Sequence, residues 1–136
     1  MDDIIWAAGF FDGEGCISLS KCYKDNYLLR VTVAQRIIEP LQLLQALFGG
    51  QICVHDGRGN KNSLRRTTGW QWYVTGNRAK LPLESLQPHL KIKAREAELA
   101  LEYLDLRPGR SSGRYTDEAR VRIEQIADEC RKRKGH

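Results

Sequence analysis

The sequence predicts an α+β domain in which helices cover one face of a β-sheet and leave the other face open. Segments with apolar residues at helical spacing are interspersed with pairs of segments in which apolar and polar residues alternate. Their order is helix, two strands, helix, two strands and further helices. The chain has 136 residues with 41% hydrophobic content, which suffices for one continuous core.

The first predicted helix is short and almost entirely apolar. Asp3 can cap its start, and Gly13 and Gly15 stand where a helix is expected to stop. A helix that is apolar all round must be buried on every side. Because Ala8 and Gly9 carry little bulk, we expect another helix to pack closely against this one.

Two β-hairpins are predicted, and a long cationic tip at residues 56–67 ends the second one. Alternation places Trp70, Trp72 and Val74 of the last strand toward the core. The side chains predicted to point outward on the sheet, or to lie at the cationic tip, are Ser18, Ser20, Cys22, Lys24, Arg30, Thr32, Gln71 and Tyr73, together with Arg58, Lys61, Arg65 and Arg66.

Helical spacing returns after the first hairpin and dominates the second half of the chain. The predicted helices span 41–48, 78–90, 94–106 and a last segment that starts at Thr116 and frays over 131–134. Residues 1–106 are therefore expected to form the core domain. Residues 107–136 would supply a linker and a basic C-terminal helix that packs on the core or extends it.

Positive charge is concentrated in the middle of the chain. The formal net charge is +5, but residues 1–14 hold four acids and no base, whereas residues 15–80 hold ten Lys and Arg against three acids. A basic surface that binds a polyanion is the functional interpretation. A basic surface that is merely solvated is the alternative.

The sequence also predicts a soluble protein of a reducing compartment. The four cysteines form no Cys-x-x-Cys pair and have no histidines at zinc-ligand spacing, so free thiols are expected. No apolar run is long enough to cross a bilayer, and the acidic N-terminus is unlike a signal peptide. We therefore expect no membrane association and an intracellular location, in a prokaryotic cytoplasm or nucleoid or inside an organelle.

An acidic turn follows the first helix. A helix C-terminus carries partial negative charge, so Asp12 and Glu14 are placed there at a cost of a few tenths to about 1 kcal/mol. A hard divalent cation such as Mg²⁺ would compensate, because it prefers oxygen ligands from carboxylates, carbonyls and water. The alternative is that Asp12 only shapes the turn and Glu14 is solvated.

The segment from Trp6 to Gly15 resembles the LAGLIDADG motif of homing endonucleases, in its variant that ends Asp-Gly-Glu-Gly. Gln35, at the end of a strand, is similar to the family's polar residue near the cleavage centre. Residues 86–93 resemble the segment that delivers a lysine there, and residues 72–76 resemble the family's fourth strand. The resemblance covers roughly residues 4–105.

The resemblance implies an αββαββα fold with a four-stranded antiparallel, saddle-shaped sheet and helices on one face. It also implies a homodimer, since the sequence has one acidic motif and a double-strand cut needs a metal-bearing carboxylate for each strand. In the family the motif helices pack together at the two-fold axis. The interface residues this implies are Ile5, Ala8, Gly9 and Asp12.

The same resemblance assigns roles at the acidic turn. Glu14 and the backbone carbonyl of Gly13 would bind Mg²⁺, or another divalent cation such as Mn²⁺, and no small-molecule cofactor is implied. Asp12 would shape the turn or assist catalysis indirectly. Gln35 would orient the water network, and Lys93 would supply positive charge near the scissile phosphate.

The function implied is site-specific, metal-dependent double-strand cleavage of a long near-palindromic DNA target, the reaction of intron homing. The outward-facing sheet residues and the cationic tip would contact double-stranded DNA. A non-cleaving nucleic-acid binder of the same fold, such as an RNA maturase or a transcription regulator, is the alternative, and Glu14 favours catalysis. One departure is Glu39, at a position where single-motif relatives often have a basic residue.

Overall fold

A four-stranded antiparallel sheet forms the framework of the fold. The computed structural model describes residues 2–22, 26–55, 69–107 and 116–133. The strands are β1 (Gly15–Lys21), β2 (Tyr27–Gln35), β3 (Gln51–His55) and β4 (Gly69–Thr75), and their order across the sheet is β1-β2-β4-β3. The hairpins β1–β2 and β3–β4 are therefore joined through the central pair of β2 and β4.

Helices pack on one face of this sheet, and the predicted α+β fold is confirmed. They are α1 (Asp2–Glu14), α2 (Glu39–Phe48), α3 (Lys80–Leu86), α4 (Ala94–Leu106) and α5 (Asp117–Arg133). Short 3₁₀ turns at Gly76–Ala79 and Gln87–His89 flank α3. No helix in the described part of the chain has the length and apolar character needed to cross a bilayer.

Three predicted helix boundaries were wrong. The first helix continues through Gly13 to Glu14, because a glycine lowers helix stability by about 1 kcal/mol without breaking the helix. The single helix predicted for 78–90 is divided, since Pro88 lacks the amide that a continuous helix needs. The last helix stays regular to Arg133, whose guanidinium forms an ion pair with Glu96 of α4.

The alternation predicted for the strands is confirmed. Val31 on β2 is fully buried and pairs with Ile17 on one side and Val74 on the other, and both of these are also buried. Trp72 is fully buried, and its indole nitrogen donates a hydrogen bond of 2.8 Å to the carbonyl of Gly49. The sheet therefore presents its apolar side chains to the helices and its polar side chains to the opposite face.

The C-terminal helix α5 packs against α4 and the edge strand β1. Ile123 and Ile126 are buried in the same hydrophobic cluster as the residues of the sheet. Ion pairs also join α5 to α4, and these are Arg122–Glu102, Arg95–Glu129 and Arg133–Glu96. The helix thus braces the edge of the sheet on the side of α4.

Candidate functional site

The acidic turn joins α1 to β1 without any linker. The helix ends at Glu14, and the strand begins at Gly15. A Cβ atom on Gly15 would lie 2.4 Å from the ring of Phe11, which is fully buried, so only glycine fits there. The Glu14 side chain is exposed, and no hydrogen bond or ion pair to another described residue engages it. A carboxylate is thereby held open to solvent at the C-terminal end of α1.

Asp12 links this turn to a distant part of the chain through several hydrogen bonds. Its side chain is 9% exposed and accepts hydrogen bonds from the backbone amides of Lys91, Ile92 and Lys93, at 2.7, 3.1 and 3.0 Å. Burial alone would raise the pKa of the Asp12 carboxyl, but these three hydrogen bonds and the positive charge of Lys93 outweigh it and lower the pKa. Asp12 is therefore held ionised and fixes the segment that leads into α4.

The same segment brings Lys93 to the end of α1. The Lys93 ammonium donates a hydrogen bond of 2.6 Å to the backbone carbonyl of Asp12. That carbonyl belongs to the last turn of α1, where carbonyls lack helical partners and the helix dipole favours a cation. Asp12 and Lys93, both predicted at the site, are thus in direct contact. Both oxygens of the Asp12 carboxylate are already occupied by amides, which leaves Glu14 as the free carboxylate of the turn.

Gln35 lies at the same end of the sheet as this turn. Gly15 pairs with Val33, so β2 continues two residues beyond the start of β1 and ends at Gln35. The Gln35 side chain is half-buried. Glu39, the one departure noted in the resemblance, begins α2 and is exposed.

The face of the sheet away from the helices carries polar side chains, as predicted. The residues predicted to point outward that the structure describes on this face are Ser18, Ser20, Arg30, Thr32, Gln71 and Tyr73, with Cys22 just beyond the end of β1. Lys24, Arg58, Lys61, Arg65 and Arg66 lie outside the described residues. The pairing adds further members of this open face that the sequence analysis did not select, namely Cys16, Leu28, Ala34, Gln51, Cys53 and Thr75. Leu28 and Ala34 are its apolar members.

The outer side of α1 exposes apolar residues. Ile5 is 54% exposed and Trp6 is 40% exposed, and Gly9 lies in open space on the same helix. Ala8, in contrast, is fully covered by its own chain, and Asp12 is nearly so. Of the four residues predicted for a dimer interface, Ile5 and Gly9 therefore reach the surface. Trp6 was not selected, although the apolar character of the helix on all sides pointed to it.

The donors available to a cation at this turn are few. The described residues contain no group of three or more His, Cys, Asp and Glu side chains that could hold a metal ion. The four cysteines are free thiols. A cation here would therefore have the Glu14 carboxylate and backbone carbonyls as protein ligands, the sparse oxygen set that Mg²⁺ completes with water and phosphate.

The acidic turn and the open face of the sheet can be compared with known proteins. No protein-family model matches the chain. Its sequence is similar to that of the DNA endonuclease I-CvuI of Chlorella vulgaris. The two are 27% identical over an alignment 150 residues long, which covers 96% of this chain and 91% of that protein. The resemblance predicted from the acidic turn is confirmed by this relative.

Solved structures of homing endonucleases share the fold. I-CvuI in complex with its target, in the presence of 2 mM Ca, superposes with a TM-score of 0.73 at 21% identity and covers 96% of this chain and 80% of that chain. The archaeal intron-encoded I-Vdi141I complexed with DNA gives a TM-score of 0.74 at 18% identity, covering 96% and 82%. The group I intron-encoded I-CeuI complexed with DNA gives 0.75 at 15% identity, covering 100% and 69%.

Proposed function

We propose that this chain is a DNA endonuclease that uses a divalent cation to cut both strands of a long near-palindromic site as a homodimer, the reaction of intron homing. The observation that carries the proposal is the Glu14 carboxylate, which is exposed and unpartnered within the described part of the chain, at the C-terminal end of α1. A negative charge at a helix C-terminus is unfavourable unless a cation joins it. Its sequence similarity to a DNA endonuclease supports the same function.

The residues at the turn fit a divalent cation such as Mg²⁺ or Mn²⁺. Glu14 and the carbonyl of Gly13 would hold the ion, which when bound would lower the pKa of a water molecule and stabilise charge on the phosphate. Lys93, anchored on the carbonyl of Asp12, would place a second positive charge beside the scissile phosphate. Gln35, at the same end of the sheet, would orient water molecules there. Asp12 would act through Lys93 rather than on the substrate.

The open face of the sheet would bind double-stranded DNA. Most of its side chains are polar or cationic, and on adjacent strands they are regularly spaced, as in Ser18 opposite Arg30 and Thr32 opposite Tyr73. A strand pair of this width can enter the major groove and place alternate side chains against base edges. The solved relatives I-CvuI, I-Vdi141I and I-CeuI were each determined with DNA, which supports this use of the face.

The outer side of α1 would form the interface between two copies. Ile5 and Trp6 are exposed there, and a shallow cavity of about 330 Å³ continues the apolar surface from Trp6 to Leu43 and Leu47 of α2. Exposed apolar residues grouped in this way are typical of contact surfaces. Gly9 would let the backbones of two such helices approach closely, and each copy would then contribute one Glu14 near the two-fold axis.

Substituting Gly9 with leucine tests this interface without disturbing the protomer. A Cβ on Gly9 would meet nothing within 4 Å, and leucine favours helix formation by up to about 1 kcal/mol over glycine. We expect the unfolding midpoint to be unchanged or slightly raised. The leucine side chain would keep the two helices apart, so sedimentation in the presence of DNA should show loss of the dimer. Cleavage should disappear with it. Glu124→Leu, at an exposed position on α5, is the control and should retain both properties.

Incubation with a plasmid library that carries random near-palindromic inserts tests the activity itself. We expect a subset of plasmids to be linearised in the presence of Mg²⁺ and none in the presence of EDTA. Tight binding of selected inserts without cutting in Mg²⁺ or Mn²⁺ would reject the nuclease and favour the non-cleaving nucleic-acid binder.

A further inference from the structure

Arg30 lies in the middle of the open face, and none of the described acidic residues pairs with it. Its strand, β2, is an inner strand of the sheet, and the residues directly opposite Arg30 are Ser18 on β1 and Thr75 on β4. No ion pair to another described residue involves Arg30, whereas Arg95, Arg122, Arg131 and Arg133 each pair with a carboxylate. A half-buried guanidinium without a counter-charge is costly, so its placement calls for an external partner.

The aromatic ring of Tyr73 supports the guanidinium. The central carbon of the Arg30 guanidinium lies 4.9 Å from the centroid of the Tyr73 ring, which is within the range of a cation–π contact. Tyr73 pairs with Thr32, the next residue of β2 on the same face, so the two side chains are diagonal neighbours across β2 and β4. The ring therefore restricts the directions in which Arg30 can point before any ligand binds.

The hydrogen-bonding groups that remain on Arg30 select one kind of contact. Its Nε atom is buried and has no hydrogen-bond partner among the residues that the structure describes, so the fork formed by Nε and one terminal nitrogen is not accessible. The two terminal nitrogens are left to bind end-on with two parallel hydrogen bonds. In the major groove, the O6 and N7 atoms of guanine are the pair of acceptors that such a fork matches.

We propose that Arg30 reads a guanine base in the major groove and that Tyr73 is a positioning residue that holds the guanidinium for this contact. The inference rests on the proposed binding of DNA by the sheet, but not on cleavage. In the proposed function, the Gln35 end of β2 lies at the cleavage centre. Arg30 lies five residues before Gln35, or about 17 Å along an extended strand. Because DNA rises by about 3.4 Å per base pair, the guanine should lie roughly five base pairs from the cleavage centre in each half-site.

Selection by binding from a library of randomised near-palindromic duplexes, with Ca²⁺ in place of Mg²⁺, tests this assignment. We expect the wild-type protein to enrich guanine at that pair of symmetric positions, by at least about fivefold over other bases. Arg30→Ala and Arg30→Lys should lose this preference, and Tyr73→Leu should weaken it strongly. Tyr73→Phe keeps the ring and should retain it. Arg78→Ala, which removes an exposed arginine from the turn after β4, outside the sheet face, is the control and should leave guanine preferred at these positions.

Circular dichroism melting of each variant ensures that only folded proteins are compared. If Arg30→Ala weakens binding equally for all sequences, Arg30 contacts phosphate and the inference is wrong. Loss of the preference in Tyr73→Phe would show that the hydroxyl, not the ring, positions Arg30. Guanine preference without cleavage in Mg²⁺ would reject the nuclease but not the contact, and cleavage without guanine preference would reject the contact alone. A wild-type protein that enriches no sequence would overturn the inference.

Discussion

Replacing Glu14 with glutamine is expected to abolish double-strand cleavage and to leave DNA binding intact. Glutamine has nearly the same shape but no negative charge, so the turn should fold normally while its affinity for a divalent cation is lost. Removing one electrostatic stabiliser of a developing charge typically costs about 10²–10³-fold in rate, and loss of the ion should cost at least that much. Binding should be equal or tighter, because a negative charge close to the phosphates is removed.

The measurement is single-turnover cleavage of a selected target in Mg²⁺, together with binding of the same target in Ca²⁺. Glu124→Gln, at an exposed position on α5, removes the same charge far from the turn and should cleave at the wild-type rate. Cleavage by Glu14→Gln within about tenfold of the wild-type rate would place the catalytic carboxylate elsewhere.

Replacing Asp12 with alanine is expected to have the second-largest effect, on stability as well as on cleavage. The substitution removes the hydrogen-bond acceptor of three part-buried backbone amides. A buried donor left without a partner costs about 1–3 kcal/mol, but Lys91 and Ile92 are exposed and water can replace part of the acceptor, so we expect a total loss of about 1–3 kcal/mol in the free energy of unfolding. Urea unfolding followed by tryptophan fluorescence measures this loss. Asp105→Ala, at an exposed position on α4, should change stability by less than about 0.5 kcal/mol.

Asp12→Asn separates the structural contribution from the effect of charge. Because the folded-state pKa of Asp12 is lowered, its carboxylate stabilises the fold fully above the ordinary aspartate pKa of about 3.9, and this contribution is lost as pH falls toward the lower folded pKa. The wild-type protein should therefore lose more stability than Asp12→Asn between about pH 5 and pH 2. Parallel loss of stability in both proteins over this range would show that Asp12 is not the group responsible.

Much of the fold follows from patterns that act over short distances in the sequence. The alternation in β1, β2 and β4 predicted which residues are buried, since one face of the sheet is covered by helices and a slip of one residue would exchange all the side chains. The Gly-Gly pair after α2 marked its end correctly, and both glycines have positive φ angles, 75° and 93°. The acidic turn was found because two carboxylates at a helix end are electrostatically unusual.

Contacts between distant segments were not predictable in this way. The hydrogen bonds of Asp12 join residues about 80 positions apart, and no local pattern indicates that the amides of residues 91–93 would face this carboxylate. Likewise, the contact of Arg30 with Tyr73 depends on the pairing of β2 with β4, which strands from separate hairpins form. For the same reason, the sequence placed Asp12 at the site but did not show that its oxygens are occupied.

The two-copy arrangement is tested most directly by a mixed dimer of one wild-type protomer and one Glu14→Gln protomer, isolated with two different affinity tags. If each copy supplies the carboxylate for one strand, the mixed dimer should convert a supercoiled plasmid that carries the target to the nicked circle and stop there. The wild-type dimer should proceed to the linear form. Linear product from the mixed dimer at the wild-type rate would contradict the account, because one Glu14 would then suffice for both strands.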